Sequence, residues 1–163
     1  MNEYELYLKL AQQHHELPNT WNGSNLRDHH MDAIRQLIEQ HHIKSILDYG
    51  CGKALHHPPE WRATLYDPAV PQYSEEPTGE YDLVICTDVL EHIPESGLQW
   101  VIDRLHQFSK GGWLYVSVCC RKAKQLLTMP NSMRRYNAHV CIKPEAWWKK
   151  RVQGERVILK FTN

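Results

Sequence analysis

The stretch Lys44-Ser-Ile-Leu-Asp-Tyr-Gly-Cys-Gly-Lys53 constrains the fold more than any other part of the chain. Ser45 to Tyr49 reads as a short buried strand, and Gly50 and Gly52 after it permit positive φ and leave no side chain between backbone and a ligand. A second buried strand, Leu83 to Thr87, lies within Tyr81-Asp-Leu-Val-Ile-Cys-Thr-Asp-Val-Leu-Glu-His-Ile93 and also ends in a polar cluster. Strands of this kind alternating with helical patterns imply a mostly parallel α/β sheet covered on both faces, with ligands at the carboxyl ends of the strands. The two strand ends are expected to face one crevice.

The remaining pattern fills in around them. Residues 2 to 16 carry a broken apolar stripe on a helix that Pro18 ends. Pro18 to Leu26, with Asn19, Asn22, Gly23, Ser24 and Asn25 around Trp21, has turn composition, and Trp21 is a candidate pocket wall. Asp28 is expected to cap a helix through His42, whose Met31, Ile34, Leu37 and Ile38 share one face. Ala63 to Tyr66 reads as a strand closed by Asp67 and Pro68, and the prolines of residues 68 to 80 leave room for a brief strand at most. Gly97 to Phe108 is expected to be a helix and Trp113 to Cys120 a strand. Residues 121 to 136 read as a helix and then a loop, Asn137 to Ile142 as a strand, Pro144 to Val152 as a helix and Arg156 to Phe161 as a last strand. One domain over 1–163 is expected, with 1–42 as a helical flank or lid.

Composition narrows the function classes. Lysine plus arginine (19) balance aspartate plus glutamate (19), so no global field draws the chain to nucleic acid or to a membrane. The eleven histidines include pairs at 14/15, 29/30, 41/42 and 56/57 without the i, i+4 spacing and acid of a helical zinc site, and no metal is expected. Five cysteines without a Cys-x-x-Cys pair fit a reducing cytosol, and no run approaches the roughly 20 apolar residues of a membrane span. A soluble, cytoplasmic protein is expected.

Asp48 before the glycine pair and Asp67 at the end of the second strand suit a ligand with an ammonium group and a ribose diol, since a carboxylate accepts hydrogen bonds from either. The dinucleotide fingerprint needs a third glycine where Leu55 stands. Ile46-Leu-Asp-Tyr-Gly-Cys-Gly52, Tyr66-Asp67 and Cys86-Thr-Asp-Val-Leu-Glu-His-Ile93, in that order, resemble the class I S-adenosylmethionine-dependent methyltransferases over about Ile43 to Cys120. Tyr66-Asp-Pro-Ala-Val70 and Asn137-Ala-His139, with Trp147-Trp148 downstream, resemble small phage and bacterial members. The resemblance implies a three-layer sandwich on a Rossmann-like sheet, seven-stranded or reduced, whose last strand is antiparallel. It implies S-adenosyl-L-methionine as cofactor and S-adenosyl-L-homocysteine as product. It places Asp48, Tyr49, Gly50 and Gly52 around the methionine portion, Asp67 on the ribose hydroxyls, and Asp88 with Val89 near the methyl group. Two departures stand out: Ala54 replaces a frequent glycine, and the helix after the first strand is cut to Lys53–His57 before two prolines. A partner or the amino-terminal helix is expected to cover the gap.

Methyl transfer from a sulfonium asks for alignment and, with a poor nucleophile, a base. His92 and His139 are the candidate bases because imidazole titrates near neutrality. Glu91 is expected to be a solvated acid at a helix start, Cys119 and Cys120 core residues, and Trp147 and Trp148 one buried and one outward. Arg134 and Arg135 are candidates to clamp an anionic group on the substrate. The expected acceptor is a small molecule, because no Asp/Asn-Pro-Pro-aromatic or Pro-Cys motif of DNA-base methylation is present. Alternatives are a cofactor-binding sensor or partner-completed subunit without transfer activity, and a nucleic-acid methyltransferase using Arg121, Lys122, Lys124, Arg134 and Arg135.

Overall fold

The structure, a computed structural model, describes residues 2–18, 20–21, 24–124, 126–128 and 135–162. In chain order its helices and strands are α1 (Glu3–Glu16), α2 (Met31–His41), β1 (Ile46–Tyr49), β2 (Thr64–Tyr66), β3 (Leu83–Thr87), α3 (Glu95–Phe108), β4 (Trp113–Cys119), β5 (Leu126–Thr128), β6 (Arg135–Asn137), α4 (Glu145–Arg151) and β7 (Val157–Thr162). Five strands form one sheet in the order β2-β1-β3-β4-β7, every neighbouring pair parallel. This is the reduced form of the expected sheet. Its last strand runs parallel to β4, where the resemblance implies an antiparallel one.

Alternation along the strands builds the two outer layers. Leu47, Tyr49, Val84, Cys86, Leu114, Val116 and Val118 point to one face, where Leu98, Ile102 and Leu105 of α3 and Trp148 of α4 complete the core. Ile46, Leu83, Ile85 and Tyr115 point to the other, under Ile34 and Leu37 of α2. Trp148 is fully buried and Trp147 half-buried, as expected of one inward and one outward ring.

Three local readings are corrected. Asp28 does not cap α2. The helix is entered through a π turn, Leu26–His30, in which Asp28 is exposed and pairs with Arg27 at 2.6 Å. Between β2 and β3, in keeping with the prolines, there is only a 3-10 turn, Pro71–Tyr73, and no strand. The described part of 121–136 holds no helix but β5 and the start of β6, which pair antiparallel. The expected strand Asn137–Ile142 is mostly irregular, since β6 ends at Asn137 and the amides of Val140 and Cys141 both donate to the Glu91 carbonyl at 2.9 Å.

The shortened helix after β1 has a physical replacement. Pro59–Trp61 makes a single 3-10 turn that drives Trp61 into the cluster under α2, while α1 packs elsewhere, on Ala69, Leu127 and Ala138. One indole thus stands in for a helix face. Trp61→Ala is expected to cost about 3 kcal/mol in urea denaturation, the scale of a large-to-small core change. A loss under about 1 kcal/mol would mean that the indole covers little.

Candidate active site

Strand order reverses between β1 and β3, and a crevice of about 760 Å³ opens there, bordered by the residues at the strands' carboxyl ends. Open parallel sheets take ligands at such a switch point, and the volume falls within the range of small-molecule sites.

β1 delivers Asp48, whose side chain alternates with Ile46 onto the α2 face and is almost wholly buried. His57 Nε2 lies 3.4 Å from Asp48 Oδ2, and no lysine or arginine among the described residues pairs with this carboxyl. Burial, with Asp67 adding repulsion, pushes Asp48 up to about 7. Burial pushes His57 down. Below about pH 7 the contact is therefore chiefly a carboxylic acid facing a neutral imidazole rather than an ion pair. Tyr49 borders the crevice, but its ring packs on Tyr66 and Phe108 in the core.

The glycine loop follows. Gly50 (φ +82°) lies against Val89, whose methyl groups occupy the space a Cβ would need. Gly52 (φ +56°) lies under the Trp21 carbonyl oxygen, 2.5 Å from where its Cβ would stand. Both positions thus require glycine for backbone and for space. Asp67, at the end of β2, accepts the Gly52 N–H at 2.9 Å and the Ala69 N–H at 2.8 Å. Burial raises its pKa while those two bonds pull it down. Ala54 also adopts positive φ (50°), a conformation that glycine takes without steric cost, so the glycine that the resemblance leads one to expect there would fit this backbone.

β3 delivers Asp88, itself in the left-handed region at φ 54°. Its Oδ1 accepts the Ser117 and Thr162 hydroxyls, each at 3.0 Å, and its Oδ2 accepts Asn25 Nδ2 at 2.7 Å. Next comes a 3-10 turn, Leu90–His92, and Glu91 on it is fully buried. The expectation of a solvated helix-start acid fails because Glu91 turns inward. Its Oε1 accepts the Cys119 N–H at 2.9 Å, and its Oε2 has no hydrogen-bond partner among the described residues. Burial, with repulsion from Asp88, drives its pKa well up.

His92 and His139 meet at this end of the crevice, with ring centroids 4.8 Å apart. His92 Nδ1 lies 2.8 Å from the Ala138 carbonyl, which fixes the proton on Nδ1 and leaves the lone pair on Nε2. Burial first, then His139, lowers His92 to about 3. His139 Nδ1 similarly faces the Arg121 carbonyl at 2.5 Å. The Trp21 ring borders the crevice with its edges toward His15 and His92.

Of the residues singled out in the sequence, Asp48, Tyr49, Gly50, Gly52, Asp67, Asp88, Val89, His92, His139 and Trp21 all border one crevice. Arg135 is exposed on β6 and lies outside it, and Arg134 is outside the described residues. The basic residues that do reach the mouth are Arg121, Lys122 and Lys124. Cys119, expected in the core, is half-exposed and borders the crevice, as do His15 and His57, which sequence reasoning missed. The only signal for those histidines is their place in the pairs 14/15, near the end of α1, and 56/57, soon after β1.

A family model described as a methyltransferase domain matches residues 23–154, from the approach to α2 through α4. The chain belongs to the class I methyltransferase family. As a member it is a methyltransferase, and the match spans every element that borders the crevice except α1, the strap residue Trp21 and β7. Comparison with curated proteins and with solved structures gives no match. Among the described residues no helix is long and apolar enough to cross a membrane.

The buried acid of this methyltransferase yields a pH prediction. A carboxyl group titrates near 3.8 when free and near 7 at Asp48, so the folded state binds the extra proton and its stabilisation is lost as pH rises from about 4 to 7. Asp48→Asn removes that loss. The variant is expected to be more stable than the parent at pH 8 by a few kcal/mol and to show a smaller advantage at pH 5, read by urea denaturation. An identical difference at both pH values would mean that Asp48 titrates normally.

Proposed function

We propose that this crevice binds S-adenosyl-L-methionine and that the enzyme methylates a small-molecule acceptor. The observation that carries the reading is the pair of buried acids, Asp48 and Asp67, on neighbouring strands astride a loop with positive φ at Gly50 and Gly52. Among the described residues no lysine or arginine pairs with Asp48, so an incoming ammonium group would complete it. Asp67 keeps lone pairs free beyond its two amide bonds, enough for a diol.

Bound S-adenosyl-L-methionine supplies a methyl group on a sulfonium: the acceptor's lone pair takes the methyl carbon as the carbon–sulfur pair returns to sulfur, leaving S-adenosyl-L-homocysteine and one proton to remove. The chain's residues align the partners and exclude water. His92, lowered to about 3, is too weak a base to hold that proton near neutrality. His139 is the imidazole left for it. A volume of about 760 Å³ must hold nucleoside and acceptor together, which limits the acceptor to a small molecule or a small exposed part of a larger one. An anionic group on it would meet Arg121, Lys122 and Lys124 at the mouth. Five free cysteines accord with a reducing, cytosolic setting for the reaction.

Calorimetric titration with S-adenosyl-L-homocysteine is expected to show one saturable site. Asp67→Asn should weaken it by about 1–3 kcal/mol, the scale of a charged hydrogen bond. Unchanged affinity would remove Asp67 from the site, and no binding by the parent would remove the cofactor. Labelled methyl donor incubated with a metabolite extract should yield a labelled small molecule. Label appearing only in nucleic acid would overturn the acceptor class.

A further inference from the structure

One cluster at the crevice is not accounted for by nucleoside binding. A carboxylate oxygen of Glu91, Sγ of Cys119 and a ring nitrogen of His139 all lie within 4.8 Å of one another. They come from three separate segments: the turn after β3, the last residue of β4, and the irregular chain after β6. Glu91 is fully buried and one of its carboxylate oxygens lacks any hydrogen-bond partner, an arrangement that costs free energy unless something else binds there.

We propose that Glu91, Cys119 and His139 bind a single divalent transition-metal ion of the zinc class. Ligand atoms around tetrahedral zinc lie roughly 3.3–3.8 Å apart, given bonds of about 2.0–2.3 Å, so three donors already within 4.8 Å need to close by only about an ångström. The donor set of one thiolate, one imidazole and one carboxylate selects zinc, or cobalt in its place, over magnesium or calcium, which take oxygen. The surroundings resemble those of known metal histidines. His139 Nδ1 is held at 2.5 Å by the Arg121 carbonyl, which orients the ring and leaves a lone pair on Nε2. The Cys119 amide holds the other end of Glu91. Three protein ligands leave a fourth position for water, as at catalytic rather than structural zinc sites.

On the methyl-transfer reading, and resting on it, that fourth position takes the acceptor's oxygen or sulfur. In the metal-loaded enzyme the ion would lower the acceptor's pKa and the proton would leave to water, so the lone pair of His139, available as a base only in the metal-free chain, serves as ligand. Metal uptake itself does not depend on that reading.

The test uses the full chain dialysed against a chelator and then titrated with zinc chloride or cobalt chloride without any nucleoside. One equivalent should bind, and the cobalt form should show a sulfur-to-metal charge-transfer band in the near ultraviolet. Cys119→Ser should abolish that band, and both Cys119→Ser and His139→Ala should weaken zinc affinity by about a hundredfold or more, since even outer partners of metal ligands shift affinity roughly 10- to 100-fold. Glu91→Gln disturbs a buried group, so those two variants, checked for native circular dichroism, carry the test. No saturable uptake, or uptake unchanged in both variants because other histidines hold the ion, overturns the site. Titration of the metal-free chain with S-adenosyl-L-homocysteine separates the two readings: nucleoside binding without metal uptake sinks the metal site alone, and the reverse sinks the methyl-donor reading alone.

Discussion

Two hydrogen bonds accepted by one buried carboxyl group set the floor of the crevice. Asp67 stands where β2 stops and ties itself to the amides of Gly52 and Ala69, so the loop after β1 and the turn after β2 are held as one piece. The loop is further fastened to β2 by the amides of Gly50 and Cys51, both of which donate to the Tyr66 carbonyl. From above, the Trp21 carbonyl accepts the Lys53 amide at 3.0 Å. A glycine loop is mobile by default, and these anchors are what give it one shape. Residues as distant as Trp21, Tyr66 and Val89 then become neighbours of a single short backbone segment.

The electrostatics of the site follow from its dryness. Asp48, Asp67 and Glu91 are all shifted up, chiefly by burial, and His15, His57 and His92 are shifted down for the same reason. Each group is pushed toward its neutral form, which is the response of ionisable groups that lack compensating charge. Lysines and arginines stay at the mouth. A positively charged ligand would therefore find acids able to ionise on its arrival, with little competing positive charge beside them.

Much of this could be read from the chain. The first, third and fourth sheet strands lie where the apolar runs place them, and β3 ends on Thr87 as expected. Asp48, Asp67 and Asp88 were visible because a polar residue ending a fully apolar run has few other reasons to be there. Glu91 was misread because the residue type and its place before a helix suit a solvated cap, and only tertiary structure turns it inward toward the Cys119 amide. Cys119 carries no local signal that distinguishes the end of a buried strand from its middle. The pairing of β5 with β6 is hard to read because Leu126 is as apolar as Leu127 although only Leu127 is buried, and because Arg135 and Tyr136 of β6 are both exposed and give no alternation.

The sheet ends on β7, which among the described residues pairs with β4 and with nothing beyond it. A strand in that position offers a free row of amides and carbonyls to any other chain it meets. Most of β7 is apolar, and Lys160 is its one exposed residue. A charged amine in the middle of an open strand is a known guard against edge-to-edge association, because a second sheet docking there would have to bury or neutralise it. Among the described residues no antiparallel strand lies outside β7, so the charge of Lys160 is what a second sheet docking at this edge would meet first.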